Sequence, residues 1–198
     1  DAPMTDTTAP TQRKPWPAII LAVLFIGPLA AAWIVYFAAP DWRPTGQVNY
    51  GELIDPPVAL PDLALNGPDG EPLTDAPLRR RWTLIYVDGS GCDEDCRQTL
   101  FDTYQVRYLL HRDLDRVRRI LLYTDAPPDP AFVAEQHPDL LVADASAADA
   151  PALLAALPES AATGDAVYLV DPLGNLMMRY PRTGTWQDMH KDLKKLLK

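Results

Sequence analysis

The chain has 198 residues, net charge −9, 47% hydrophobic and 23% charged residues, and two cysteines. The apolar content excludes a wholly disordered chain, and two cysteines exclude a multi-bridge scaffold or a four-cysteine zinc site. The acidic balance argues against a nucleic-acid partner, while 21 prolines, about twice the usual share of ~5%, mark an uneven chain.

Residues 1–15 read as a short N-terminal tail. Residues 16–39 (WPAIILAVLFIGPLAAAWIVYFAA) carry no charge. As a helix they extend ~36 Å, against a bilayer core of ~30 Å. Trp16 at one end, with Tyr36 and Phe37 at the other, suits an aromatic belt. Pro28 predicts a kink. The run is too long for the apolar core of a signal peptide, so it reads as a single transmembrane helix. Arg13 and Lys14 precede it and only Arg43 follows closely. That bias predicts a cytoplasmic N-terminus and, in a bacterial inner membrane, a periplasmic C-terminal domain. Asp1, Asp6, Arg13 and Lys14 cancel, so the whole −9 belongs to residues 40–198. Such a domain should not lie flat on an anionic bilayer.

Residues 40–57 read as a proline-rich tether and 58–198 as an α/β domain. A strand is predicted at 58–65 and a turn at 66–70. Residues 81–87 (RWTLIYV) form a buried strand, broken by Gly89-Ser90-Gly91. Helical spacing follows over 93–114 and a second buried strand over 117–123. A helix at 131–137, a short strand at 140–142 and a helix at 147–157 come next. A third buried strand at 166–170 turns through 171–175 into a return strand at 176–180. The last helix, 187–198, has Met189, Leu193, Leu196 and Leu197 on one face and lysines at its C-terminal end, which suits the helix dipole. A strand–helix–strand unit followed by a hairpin and a final helix is the thioredoxin-like order, with a right-handed crossover between parallel strands.

The candidate chemistry is Cys92-Asp93-Glu94-Asp95-Cys96. Its place after a strand and a glycine break puts Cys92 at a helix N-terminus and Cys96 one turn on, ~6 Å away and within disulfide reach. The helix end favours a thiolate at Cys92, and the three intervening acids oppose it. A bridge closing so small a loop adds little stability. That leaves redox or metal work, or a structural bridge.

The fold order, the C-x3-C pair, the segment at 167–176 (VYLVDPLGNL) and Asn49-Tyr50-Gly51-Glu52 resemble the Sco/SenC family over residues 16–198. The resemblance implies a membrane-anchored thioredoxin-fold protein for assembling the copper centre of haem–copper cytochrome oxidases. Its partners would be oxidase subunits or other assembly factors. It makes Cys92 and Cys96 copper ligands or a redox pair. The family pattern also places a histidine before the Y-L-x-D-P strand; here residues 160–165 (SAATGD) have none. The chain's histidines, His111, His137 and His190, read as surface or capping residues. Copper(I) would then rest on two thiolates, as soft ligands. Met177 or Met178 could add a thioether, although strand alternation turns one of them into the core. The cis-proline of thiol–disulfide oxidoreductases is missing from 162–167 too. Three readings follow: a Sco-like assembly factor handling copper(I) or thiols, an accessory oxidase subunit with an inert domain, and a membrane-anchored thiol–disulfide oxidoreductase. The arginines at 112, 116, 118 and 119 read as a solvated face that, with Arg79–Arg81, could meet an acidic partner.

Overall fold

Uncharged, apolar and 23 residues long, Trp16–Ala38 forms one helix, α1, with Pro28 inside it. A computed structural model describes residues 16–38, 49–61, 64–73 and 78–198. It falls into two units, 1–47 and 48–198. The tail at 1–15 and much of the tether, 39–48, lie outside the described residues. In α1, Ile20, Leu24, Phe25, Leu29 and Trp33 are exposed. Counted over described residues alone, no helix is long and apolar enough to cross a membrane.

The second unit is a six-stranded sheet between helices. In chain order its elements are β1 (Glu52–Ala59), β2 (Trp82–Asp88), α2 (Glu94–Leu109), β3 (Val117–Tyr123), α3 (Pro130–Gln136), β4 (Leu140–Asp144), α4 (Ala150–Ala156), β5 (Ala166–Val170), β6 (Asn175–Pro181) and α5 (Trp186–Leu196). The sheet order is β1-β6-β5-β2-β3-β4. β2 pairs parallel with β3 (Ile85 opposite Ile120) and antiparallel with β5 (Ile85 opposite Tyr168). β2, β3 and β5 are almost wholly buried, which is why they read as unbroken aliphatic and aromatic runs.

Alternation splits the core between the two faces. Ile85, Val87, Ile120, Leu122 and Tyr168 pack with Leu153 of α4 on one face. Leu84, Tyr86, Leu121, Val167 and Leu169 pack with Leu100 of α2 and Leu193 of α5 on the other. Of the two neighbouring methionines, Met178 is buried and Met177 is half-buried.

Three expectations are corrected. The first strand, β1, straddles the predicted tether and the predicted strand at 58–65: it starts six residues earlier, at Glu52, and ends at Ala59. It contains Pro56 and Pro57 and pairs with β6 only, its register breaking between Leu53 and Val58. An edge strand needs only half its N–H groups, so proline is tolerated there. Residues 66–70 make a turn joined by a single bridge, Asn66 to Pro72, and no paired strands. The long helix stops at Leu109, and His111–Arg116 continues as a 3-10 helix, with His111 at φ 49°.

Candidate functional site

β2 ends on Asp88, a buried carboxylate that organises the turn after it. Its Oδ2 accepts the backbone N–H of Ser90 at 3.1 Å and of Cys92 at 2.8 Å, and its Oδ1 accepts the Ser90 hydroxyl at 2.8 Å. The chain passes through Gly91 at φ 73° and Cys92 at φ 60°. A left-handed conformation is uncommon for a side chain other than glycine. Here the bond from Cys92 N–H to Asp88 holds it.

Cys92 and Cys96 are joined in a disulfide with Cα atoms 4.9 Å apart. Both are buried, Cys92 at 5% and Cys96 at 0% exposure. The placement of Cys92 at the helix N-terminus is corrected. Asp93 is the N-cap of α2, and its Oδ1 accepts the backbone N–H of Cys96 at 3.1 Å. Cys92 therefore sits one residue before the cap and Cys96 in the first turn. The orphan N–H at the helix end, which would stabilise a thiolate, serves a carboxylate instead. Arg97 reaches back toward the Cys92 carbonyl, its Nε at 3.5 Å, and its guanidinium lies over Phe132 at 4.8 Å.

A polar cleft of about 300 Å³ opens beside this turn, lined by Tyr86, Asp88, Ser90, Asp93, Thr163 and Arg182 among others. Arg182 pairs with Asp95 at 3.1 Å. The Tyr86 hydroxyl donates to the Gly164 carbonyl at 3.3 Å, which sets the 160–165 loop against β2. Gly164 is left-handed (φ 65°), and a Cβ there would fall 2.9 Å from the Tyr86 oxygen. Burial, with the Asp88 charge behind it, pushes the Tyr86 phenol up.

The structure brings the two cysteines together and leaves the histidines elsewhere. His111 is exposed and His190 half-buried, both beside the C-terminal end of α2. His137 is a capping residue, the C-cap of α3, with its N–H donating to the Val133 carbonyl, but it is buried and not on the surface, 2% exposed, edge-on to Phe132 and Tyr104 at 5.0 and 6.0 Å. Burial, then the Arg119 charge, pulls its pKa down to about 4. Among the described residues no three of His, Cys, Asp and Glu gather into a metal-holding group. The solvated arginine face holds for Arg112 and Arg116, which are exposed, and is corrected for the other two. Arg118 and Arg119 are buried in β3, and Arg119 makes a two-point contact with Asp139 at 2.7 and 3.0 Å.

Asp88 was missed by sequence reasoning. Its signal was the Asp88-Gly89-Ser90 order, an Asx-turn pattern directly after a buried strand.

This sheet order, with a cysteine pair at the β2–α2 junction, defines a thioredoxin-like domain carrying a dithiol–disulfide site. The chain belongs to the family described as transmembrane-like, thioredoxin-like, C-terminal domain, whose model matches residues 82–198. Its structural neighbours are Sco1/SenC-type thioredoxin-fold proteins. Apo Sco1 from Thermus thermophilus superimposes with a TM-score of 0.59 at 20% identity, over 77% of this chain and 99% of that one. Copper-bound yeast Sco1 gives 0.57 at 15%, over 71% and 93%. A putative protein disulfide isomerase from Bacteroides thetaiotaomicron gives 0.55 at 17%, over 71% and 88%. At these identities the likeness is one of fold. No curated protein matches the chain.

Proposed function

We propose that the chain is a membrane-anchored, Sco-like accessory factor for a haem–copper cytochrome oxidase, working through Cys92 and Cys96. The observation that carries this reading is the disulfide at the β2–α2 junction of a thioredoxin-like sheet. The uncharged run 16–39 supplies the anchor. The Arg13–Lys14 bias puts the N-terminus in the cytoplasm and the domain in a bacterial periplasm.

The reaction is thiol–disulfide exchange with a partner dithiol. A partner thiolate attacks one sulfur, and the Cys92–Cys96 bond breaks. A second partner thiol resolves the mixed disulfide. Two electrons and two protons pass to Cys92 and Cys96, and the partner leaves oxidised. Cys92 is the less buried of the two and is the sulfur that is attacked.

Copper(I) is cargo in this reading. The disulfide itself offers no ligand. Once reduced, the two thiolates suit a soft cation, and His137, enclosed by Phe132 and Tyr104, does not fit as a third donor. A full-length chain in detergent, reduced and titrated with copper(I) against a chromophoric chelator, should retain one equivalent. Cys92→Ser and Cys96→Ser should each lose it. No retention removes the copper half. A disulfide untouched by protein dithiols removes the redox half.

The burial of both cysteines favours a second reading, an accessory subunit whose disulfide is inert. Full oxidase assembly in a strain carrying Cys92→Ser together with Cys96→Ser would select it.

A further inference from the structure

The far end of α2 carries a second surface, unlike the rest of this acidic domain. Leu109, Leu110 and Leu197 line a groove of about 340 Å³, with Arg112, Lys194 and Lys198 around it. The acids nearby are already engaged. Asp113 pairs with Arg116 at 3.0 Å and Asp115 with Arg107 at 3.6 Å. Arg116 also donates to the Leu197 carbonyl at 2.6 Å, tying the 3-10 helix to the end of α5. Arg112, Lys194 and Lys198 are exposed and enter none of the ion pairs among the described residues. A chain segment carrying −9 overall thus ends in a cationic pole.

The pole is also apolar. Tyr108 is 63% exposed and Leu109 36%. Cations around the part-exposed Leu109, with buried Leu110 and Leu197 beneath it as an apolar floor, match the interface between lipid headgroups and acyl chains. An acidic protein would use the cations and leave the apolar floor unexplained. We propose that this groove docks the domain end-on against anionic phospholipid headgroups. The proposal rests on the anchor reading for the local concentration of lipid. α2 is 16 residues long, ~24 Å, and the disulfide is at its other end. Docking here points Cys92 and Cys96 away from the lipid and toward a partner, and it keeps the acidic remainder off an anionic surface.

The test uses the full chain in phosphatidylcholine nanodiscs, with or without phosphatidylglycerol. The readout is the acetylation rate of Lys194 and Lys198 by mass spectrometry, with Lys191 as internal reference. Both lysines should react more slowly in the anionic discs, and high salt should erase the difference. Arg112→Glu, which leaves both lysines in place, should weaken docking by about fivefold or more. Equal rates in the two discs, or slowing that ignores salt and Arg112→Glu, would overturn the proposal. Slowing by a polyglutamate peptide but not by anionic lipid would also overturn it, in favour of an acidic protein. A chain that leaves the zwitterionic discs refutes the anchor. In that event retention on anionic discs alone still supports docking, and retention on neither refutes both.

Discussion

The Asp93 carboxylate accepts the backbone N–H of Cys96 at 3.1 Å and so occupies the helix-end position that an activated thiolate would use. After reduction, Cys92 lies outside that field and beside two carboxylates, Asp88 and Asp93. Reduced Cys92 should therefore alkylate slowly with iodoacetamide at neutral pH. Asp93→Asn keeps a good N-cap and removes the charge, so it should raise the rate several-fold with little loss of stability. Asp93→Ala removes the cap as well and should cost about 1 kcal/mol. Equal alkylation in the wild type and Asp93→Asn would show that this carboxylate does not govern the thiol.

Asp88 holds the cysteine turn through three hydrogen bonds. Asp88→Ala leaves the buried Cys92 N–H without its acceptor, a loss of about 1–3 kcal/mol. Asp88→Asn keeps one acceptor oxygen and should lose less. Urea denaturation of the oxidised chain measures both. The Ala variant should also be reduced faster by dithiothreitol, because Cys92 is no longer held in the left-handed conformation. A variant with wild-type stability and reduction rate would remove Asp88 from the site.

These residues show what a sequence exposes and what it conceals. β3 and β5 have the expected bounds, since a strand buried on both faces is a continuous aliphatic run with no competing pattern. Residues 52–57 of β1 read as tether because Pro56-Pro57 signals extended, unpaired chain, and only the edge position of β1 beside β6 makes those prolines compatible with a sheet. The cysteine pair was visible, but its frame was off by one position. Asp93 and Cys92 are both plausible helix-start residues, and only the bond from Cys96 N–H decides between them. Arg119 looked solvated because its partner, Asp139, lies twenty positions away, outside any local pattern.

The segment entering the domain is tied to the last helix by Asp192. Its buried Oδ2 accepts the N–H groups of Tyr50 and Gly51 at 2.8 and 2.9 Å and lies 3.4 Å from the Tyr180 hydroxyl. Burial, then the Asp192 charge, pushes the Tyr180 phenol far up. Gly51 is required by space, since a Cβ there would lie 2.5 Å from the Tyr180 ring. Gly51→Ala should destabilise by about 1–3 kcal/mol through overpacking. Asp192→Ala, which leaves two backbone donors unpaired, should cost about 3 kcal/mol or more. Amide exchange at Tyr50 and Gly51 should quicken in Asp192→Ala. Protection that survives this change would show that β1 pairing alone holds the segment.

His137 should make stability depend on pH below neutrality. Its ring is enclosed by Phe132 and Tyr104, with Nδ1 buried and lacking a hydrogen-bond partner. Burial and the facing Arg119 hold its pKa at about 4, against the opposing pull of Asp139. The unfolded chain binds this proton near pH 6.5, and the folded chain binds it only near 4. Between those values the unfolded state holds more protons, so stability rises with pH across the window and falls as acid is added. The loss from pH 6.5 to 4 is on the order of 2–3 kcal/mol. Asp139 also faces this site. Burial pushes its carboxyl up, but hydrogen bonding and charge from Arg119, with Arg107, bring it below the usual value. Its contribution is therefore lost only at lower pH. Urea midpoints taken across pH 4–7 should slope upward in the wild type and flatten in His137→Phe, which keeps an aromatic ring against Phe132 and Tyr104 and removes the proton site. An unchanged slope in His137→Phe would assign the pH dependence to another group.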